Sequence, residues 1–196
     1  RMVRCFIGIK TSESVTESMV EAQNRLRATS LQGGWTPPNN FHLTLRFLGD
    51  INEAQVTSLQ EKLSTIKLPI AKLQYGPLGF FGDVRKKNIR IVWTKVLGAE
   101  LVQKAVDEAL GNEFPPDDRL LEQIKTGQYS HHITLIRVKR VNPKDYFTLE
   151  KSINEWIPTD SSVLNQEATE VILFKSTLEK GSEPVYEPLF THNFTT

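Results

Sequence analysis

The stretch "HLTLRFLG" at residues 42–49 and the stretch "HITLIRVK" at residues 132–139 both open His-x-Thr-Leu and both alternate apolar with other residues. Alternation at a period of two is the signature of a half-buried strand. In a strand, residues i and i+2 share a face, so His42 projects with Thr44 and His132 with Thr134. Leu43, Leu45 and Phe47 are then expected to face a core, as are Ile133 and Leu135. One histidine in such a strand is an ordinary half-buried residue. Two of the chain's four histidines in the same setting, each followed by a helical pattern, are harder to dismiss. The repetition predicts two related halves about a pseudo-two-fold axis, with the two imidazoles facing one another.

A facing pair of imidazoles suits displacement at phosphorus. The attacking oxygen needs a base, and the oxygen leaving on the opposite side needs an acid. Histidine, with an unperturbed pKa of about 6.5, serves either role near neutrality. The threonine hydroxyls would hold charge developing on the non-bridging oxygens. Other chemistries lack their residues: the chain has no G-x-x-x-x-G-K-[ST], no G-x-G-x-x-G after a strand and no G-x-S-x-G. A metal held by His42, His131 and His132 is disfavoured, because adjacent strand residues point to opposite faces and no motif carboxylate completes the set. No metal and no cofactor are expected. His131 and His192 read as ordinary partly exposed residues.

The remaining strands and helices follow from periodicity. Residues 3–9, "VRCFIGI", read as a strand. Val15, Met19, Ala22 and Leu26 recur at helical steps after a cap at Ser12 or Ser14, and Val56, Leu59, Leu63 and Ile66 recur after a cap at Asn52. "GGWTPPNN" reads as a loop. Residues 70–82 and 89–97 predict a strand pair around the turn "GDVRKKN", followed by a helix from Ala99 to Leu110. Residues 111–128 read as a loop or weak helix, "NPKDYFTLEKSINEW" as a helix, and "EVILFKSTL" and "VYEPLFTHNF" as closing strands. This order predicts an α+β fold and a single bilobed domain over residues 1–196, with two antiparallel sheets flanking a cleft and helices outside.

Composition narrows the partners. Lys+Arg 24 against Asp+Glu 23 leaves a formal charge of +1, too little field for an architectural DNA binder, which still leaves local capture of a phosphate or an RNA end open. The one cysteine, Cys5, excludes an internal disulfide and a cysteine zinc cage and reads as a buried thiol. No apolar run approaches the roughly 18 residues that cross a bilayer, and no secretory pattern opens the sequence. A cytoplasmic monomer is expected.

Beyond the two motifs, the runs "RCFIGIKTSESV", "NNFHLTLRFLGDI", "IRIVW", "HHITLIRVK" and "FKSTLEKGSEPVYEPL" together resemble the 2H phosphoesterase superfamily. The resemblance is to its archaeal and bacterial 2′,5′ RNA ligase branch, now described as RNA 2′,3′-cyclic phosphodiesterases, and it covers nearly the whole chain. One departure lies near the end. The family's usual Gly-Pro-x-Tyr is interrupted here, with Ser182 and Glu183 between Gly181 and Pro184.

The resemblance implies metal-independent hydrolysis of a terminal ribose 2′,3′-cyclic phosphate to a 2′-phosphate, with a possible reverse 2′,5′ ligation. It implies His132 as the group that activates water and His42 as the acid on the departing 3′-oxygen, with Thr44 and Thr134 on the phosphate. It also favours Arg137 for the phosphate, although a regular strand would turn Arg137 to the opposite face. Arg46, four residues after His42 and hence on the motif face, Phe81 and Arg85 are further candidates for RNA contact. Tyr75 and Phe80 are candidates for stacking on a base or for the core, and Trp93 for packing. Two other readings are a phosphoesterase for a small cyclic nucleotide and a non-catalytic module that grips RNA ends or nucleotides.

Overall fold

The computed structural model describes residues 1–127, 129–179, 181 and 183–196; of the inserted pair near the end, Ser182 lies outside them. Two antiparallel sheets organise the chain. The first contains β1 (Met2–Lys10), β3 (His42–Asn52), β8 (Glu170–Thr177) and β9 (Val185–Asn193), in the order β3-β1-β8-β9. The second contains β2 (Gln32–Trp35), β4 (Ala71–Asp83), β5 (Asn88–Leu97), β6 (His132–Arg140) and β7 (Asn165–Ala168), in the order β2-β6-β5-β4-β7. The two motif strands are β3 and β6, one in each sheet. The expected bilobed α+β arrangement is present.

Local chemistry sets the helices. Ser12 caps α1 (Glu13–Arg27), its hydroxyl accepting from the Val15 amide. Asn52 caps α2 (Glu53–Ser64) in a reciprocal box with Gln55, which satisfies two amide donors that the first turn would leave free. α3 (Glu100–Leu110) buries Val102, Val106 and Leu110. α4 (Asp118–Lys125) forms within the segment read as a loop or weak helix, capped by Asp117 but burying nothing. α5 (Tyr146–Asn154) buries Leu149 and Ile153.

Two strands were not expected. "GGWTPPNN" begins as strand, because Gly33 and Gly34 pair with Val138 and Arg137 in β6. Gly33 has no alternative: a Cβ there would lie 2.1 Å from the Arg137 carbonyl oxygen. The glycines thus admit a close strand approach instead of breaking one. β7 is a short, mostly polar edge strand on β4, too brief for its alternation to be seen.

One apolar cluster joins both sheets, drawing Ile7, Leu43 and Leu173 from the first and Leu73, Val92 and Leu135 from the second. Fully burying each such side chain stabilises the fold by about 1.5–3 kcal/mol. The free thiol of Cys5 lies within that cluster, as expected. No helix among the described residues is long and apolar enough to cross a membrane.

Candidate active site

β3 and β6 are irregular at the same place. Along β3, Thr44 pairs with Gly8 and Arg46 with Ile7, which leaves Leu45 as an extra residue. Along β6, Thr134 pairs with Trp93 and Ile136 with Val92, which leaves Leu135 extra. A bulge of this kind reverses the alternation beyond it. Two consecutive residues are therefore buried in each strand, Leu45–Arg46 and Leu135–Ile136, and the next one returns to the motif face. The residues that return are Phe47 and Arg137.

This inversion corrects two expectations about β3. Phe47 does not face the core; it is 67% exposed and lies 6.0 Å from the Phe6 ring, which also packs on His42. Arg46 is not on the motif face. It is buried, pairing with Asp107 at 2.7 Å and donating to the Phe114 carbonyl at 2.7 Å, so it is no candidate for RNA. In β6 the same inversion gives Arg137 the face of His132 and Thr134. The sequence does not announce the bulges directly: the apolar pair Leu135–Ile136 is a trace of the one in β6, whereas in β3 the second buried position is Arg46 and leaves none.

Both imidazoles are held alike. His42 Nδ1 lies 2.7 Å from the Asn40 carbonyl, and His132 Nδ1 lies 3.1 Å from the Ser130 carbonyl, in each case two residues upstream. A carbonyl only accepts, so Nδ1 carries the proton and the neutral ring presents Nε2 as a base. Thr44 donates its hydroxyl to His42 Nε2 at 2.8 Å. Among the described residues Thr134 makes no equivalent bond to His132.

Each ring also meets an aromatic edge. Tyr186 stands at 89° to His42 with centroids 5.1 Å apart, and Phe81 at 90° to His132 with centroids 5.3 Å apart. Phe6 lies 4.6 Å from His42, and Trp93, over Gly79, lies 6.0 Å from His132. This desolvation lowers the proton affinity of both histidines below the ordinary 6.5, and the Arg137 charge lowers His132 further.

One segment ties the two sheets together near these rings. Thr36, just after β2, donates twice to β6, its amide to the Leu135 carbonyl at 3.0 Å and its hydroxyl to the Thr134 carbonyl at 2.8 Å. Six residues later the chain is at His42 in the other sheet, a span of at most about 20 Å. The charge of Arg137 meanwhile acts on His132 in its own strand and on Tyr186, the aromatic partner of His42.

The other candidates are placed as follows. Arg85 is exposed in the turn between β4 and β5, its amide donating to Asp83. Phe80 packs against the core from a half-buried position. Tyr75 is buried, its hydroxyl donating to Gln166 at 2.7 Å, and is not available to a base. His131 points away from His132, as strand geometry requires, and its Nε2–H donates to Gln103 at 2.9 Å beside a cavity of about 600 Å³. His192 Nε2 donates to the Ile66 carbonyl. Among the described residues no group of three or more His, Cys, Asp and Glu gathers as metal ligands would.

With its paired His-x-Thr strands in two antiparallel sheets, the chain is similar to the LigT-like phosphoesterases. Residues 9–93 match the family described as LigT like Phosphoesterase. Among named relatives it is similar to the RNA 2′,3′-cyclic phosphodiesterase of Aquifex aeolicus, 29% identical over 95% of this chain and 94% of that one. The enzymes of the same name from Methanocaldococcus jannaschii and Thermotoga maritima are 28% and 27% identical, over 94% and 98% of this chain and 97% and 96% of theirs. The apo structure of Escherichia coli LigT shares the fold, with a TM-score of 0.71 at 19% identity over 100% of this chain and 99% of that one.

Proposed function

We propose that the protein is an RNA 2′,3′-cyclic phosphodiesterase that opens terminal cyclic phosphates to 2′-phosphates, with His42 and His132 as its acid and base. The observation that carries this reading is the matched presentation of two Nε2 atoms, each fixed by an Nδ1–H to a carbonyl two residues upstream, from strands of opposite sheets. The relatives that bear this activity in their names align over nearly the full length.

In the proposed step, His132 Nε2 takes a proton from water as the water oxygen bonds to phosphorus. The bond from phosphorus to the 3′-oxygen breaks, and protonated His42 delivers its proton to that oxygen. His132 suits the first role because its ring is the more open to solvent of the two; His42, walled by Phe6, Phe174 and Tyr186, suits the second. Thr44, Thr134 and Arg137 bind the non-bridging oxygens. With a 5′-hydroxyl in place of water, the same two transfers would join two RNA ends through a 2′,5′-phosphodiester as the bond from phosphorus to the 3′-oxygen breaks, and run backwards they would open that linkage. The cleft lies within one chain, so a monomer suffices, and we place it in the cytoplasm, where RNA ends are processed.

The test is an RNA ending in a 2′,3′-cyclic phosphate, incubated with the protein in the presence of a chelator. Appearance of a 2′-phosphate end supports the reading. A 3′-phosphate end reverses the leaving group, and binding without turnover across the pH range replaces the enzyme with a phosphate-gripping module. Faster turnover of a mononucleoside 2′,3′-cyclic phosphate would move the substrate class to small molecules.

A further inference from the structure

Each bulge carbonyl is held by a buried glutamine, and each glutamine comes from the helix that follows a strand of the other sheet. Gln103, in α3 after β5 of the second sheet, donates Nε2–H to the Leu45 carbonyl at 2.9 Å in β3 of the first. Gln23, in α1 after β1 of the first sheet, donates to the Leu135 carbonyl at 3.0 Å in β6 of the second, and to the Thr36 carbonyl at 2.9 Å. Gln23 is 3% and Gln103 9% exposed. Both sit among the apolar residues of their helices, where an amide serves no packing need.

The remaining valences of Gln103 are also used. Gln103 gives its second Nε2–H to Asp107 at 3.1 Å, and its Oε1 accepts from Tyr129 at 2.7 Å and His131 at 2.9 Å. Asp107 is itself the partner of Arg46, the residue turned inward by the bulge at Leu45. Burial and the nearby Asp107 carboxylate push the Tyr129 phenol up to about 12, so it stays a donor at all working pH values.

We infer that Gln23 and Gln103 are positioning residues that pin the two bulges, and so decide which side chains line the cleft. A regular β6 would bury Arg137 and expose Ile136; a regular β3 would bury Phe47 and expose Arg46. The bulge is the less regular register, and a donor on the carbonyl of its extra residue stabilises it against slippage. Each donor's helix packs beside the strand it serves yet continues in the chain from a strand of the other sheet, so the bond also ties each bulge to the connection that crosses between the sheets. This inference rests on the proposed function for its kinetic consequence but not for its structural one.

The experiment uses Gln23→Met and Gln103→Met in the full chain, near-isosteric changes that remove both donors. Amide hydrogen exchange is followed over residues 44–47 and 134–137 in the same samples used for cyclic-phosphate hydrolysis. Gln23→Met is expected to speed exchange at 134–137 and not at 44–47, and Gln103→Met the reverse, each lowering kcat/KM by about 10- to 100-fold at unchanged far-ultraviolet circular dichroism. Gln23→Met combined with Arg137→Ala is expected to be no more than about twofold worse than Arg137→Ala alone, because both remove the same contact.

Wild-type exchange at both segments overturns the inference whatever the activity, and multiplicative losses with Arg137→Ala overturn the route through β6. Where Met at 23 does not fold, Gln23→Asn withdraws the donor by one methylene, about 1.5 Å, and is judged by the same criteria. A wild-type protein without turnover would defeat the functional reading alone, since the exchange pattern stands apart from it.

Discussion

Leu45 and Leu135 are counterparts: each is the lone extra residue of a bulge one place after a motif threonine, and each gives its carbonyl to a glutamine on a helix that follows a strand of the other sheet. The cleft's composition beyond the two motifs follows from that pair. Its predictions concern the rings, their titration, the residues returned to the cleft and the one turned away.

His42→Ala and His132→Ala are each expected to lower kcat by about 10²–10⁴, the usual worth of one placed proton transfer. The double variant should be little worse than the weaker single one, since the two act as a unit. Near-normal turnover in either single variant would remove that histidine from the mechanism.

The pH profile follows from burial. Both rings bind protons less tightly than a free imidazole at 6.5. One must be neutral and the other protonated, so kcat/KM should trace a bell with its maximum below pH 6.5. The same groups act on stability. The unfolded chain takes up their protons more readily than the folded one, so their contribution is fully present above 6.5 and is lost as pH falls through the folded values. Urea midpoints measured from pH 7.5 to 5 should therefore decline, whereas an activity maximum above pH 7.5 would contradict the assigned burial.

Arg137 and Phe47 hold equivalent places and should fail differently. Arg137→Ala should weaken RNA binding and reduce the salt slope of its logarithm by about one phosphate contact. Phe47→Ala should leave the slope alone and raise KM, by about 1–3 kcal/mol of binding if the ring stacks on a base. Filter binding at several salt concentrations separates the two, and a changed slope in the Phe47 variant would refute the division.

Arg46 should behave as a structural residue. Asp107→Ala strips a charged hydrogen bond from a buried guanidinium and should cost about 1.5–3 kcal/mol in urea unfolding. Salt dependence of RNA binding should not move in Arg46→Met. A shallower slope there would return Arg46 to the cleft.

Much of this was legible in the residues. The motif strands, the caps at Ser12 and Asn52, and the pairing of β4 with β5 all follow from local periodicity and capping chemistry. What escaped is non-local. Alternation places Arg46 outward and Phe47 inward until an unpaired residue shifts the phase, and only the register with β1 reveals that shift. Gly33 and Gly34 look like loop punctuation until β6 lies against them. Gln23 and Gln103 carry no local signal, because their acceptors lie 112 and 58 residues away.

The crossing of α1 and α3 makes the molecule indivisible. Either half, severed and expressed by itself, would carry a histidine strand whose kinked carbonyl had lost its donor to the missing piece. Such a fragment could regain a working geometry only by docking with its complement, or with a twin that lends its own helix in return.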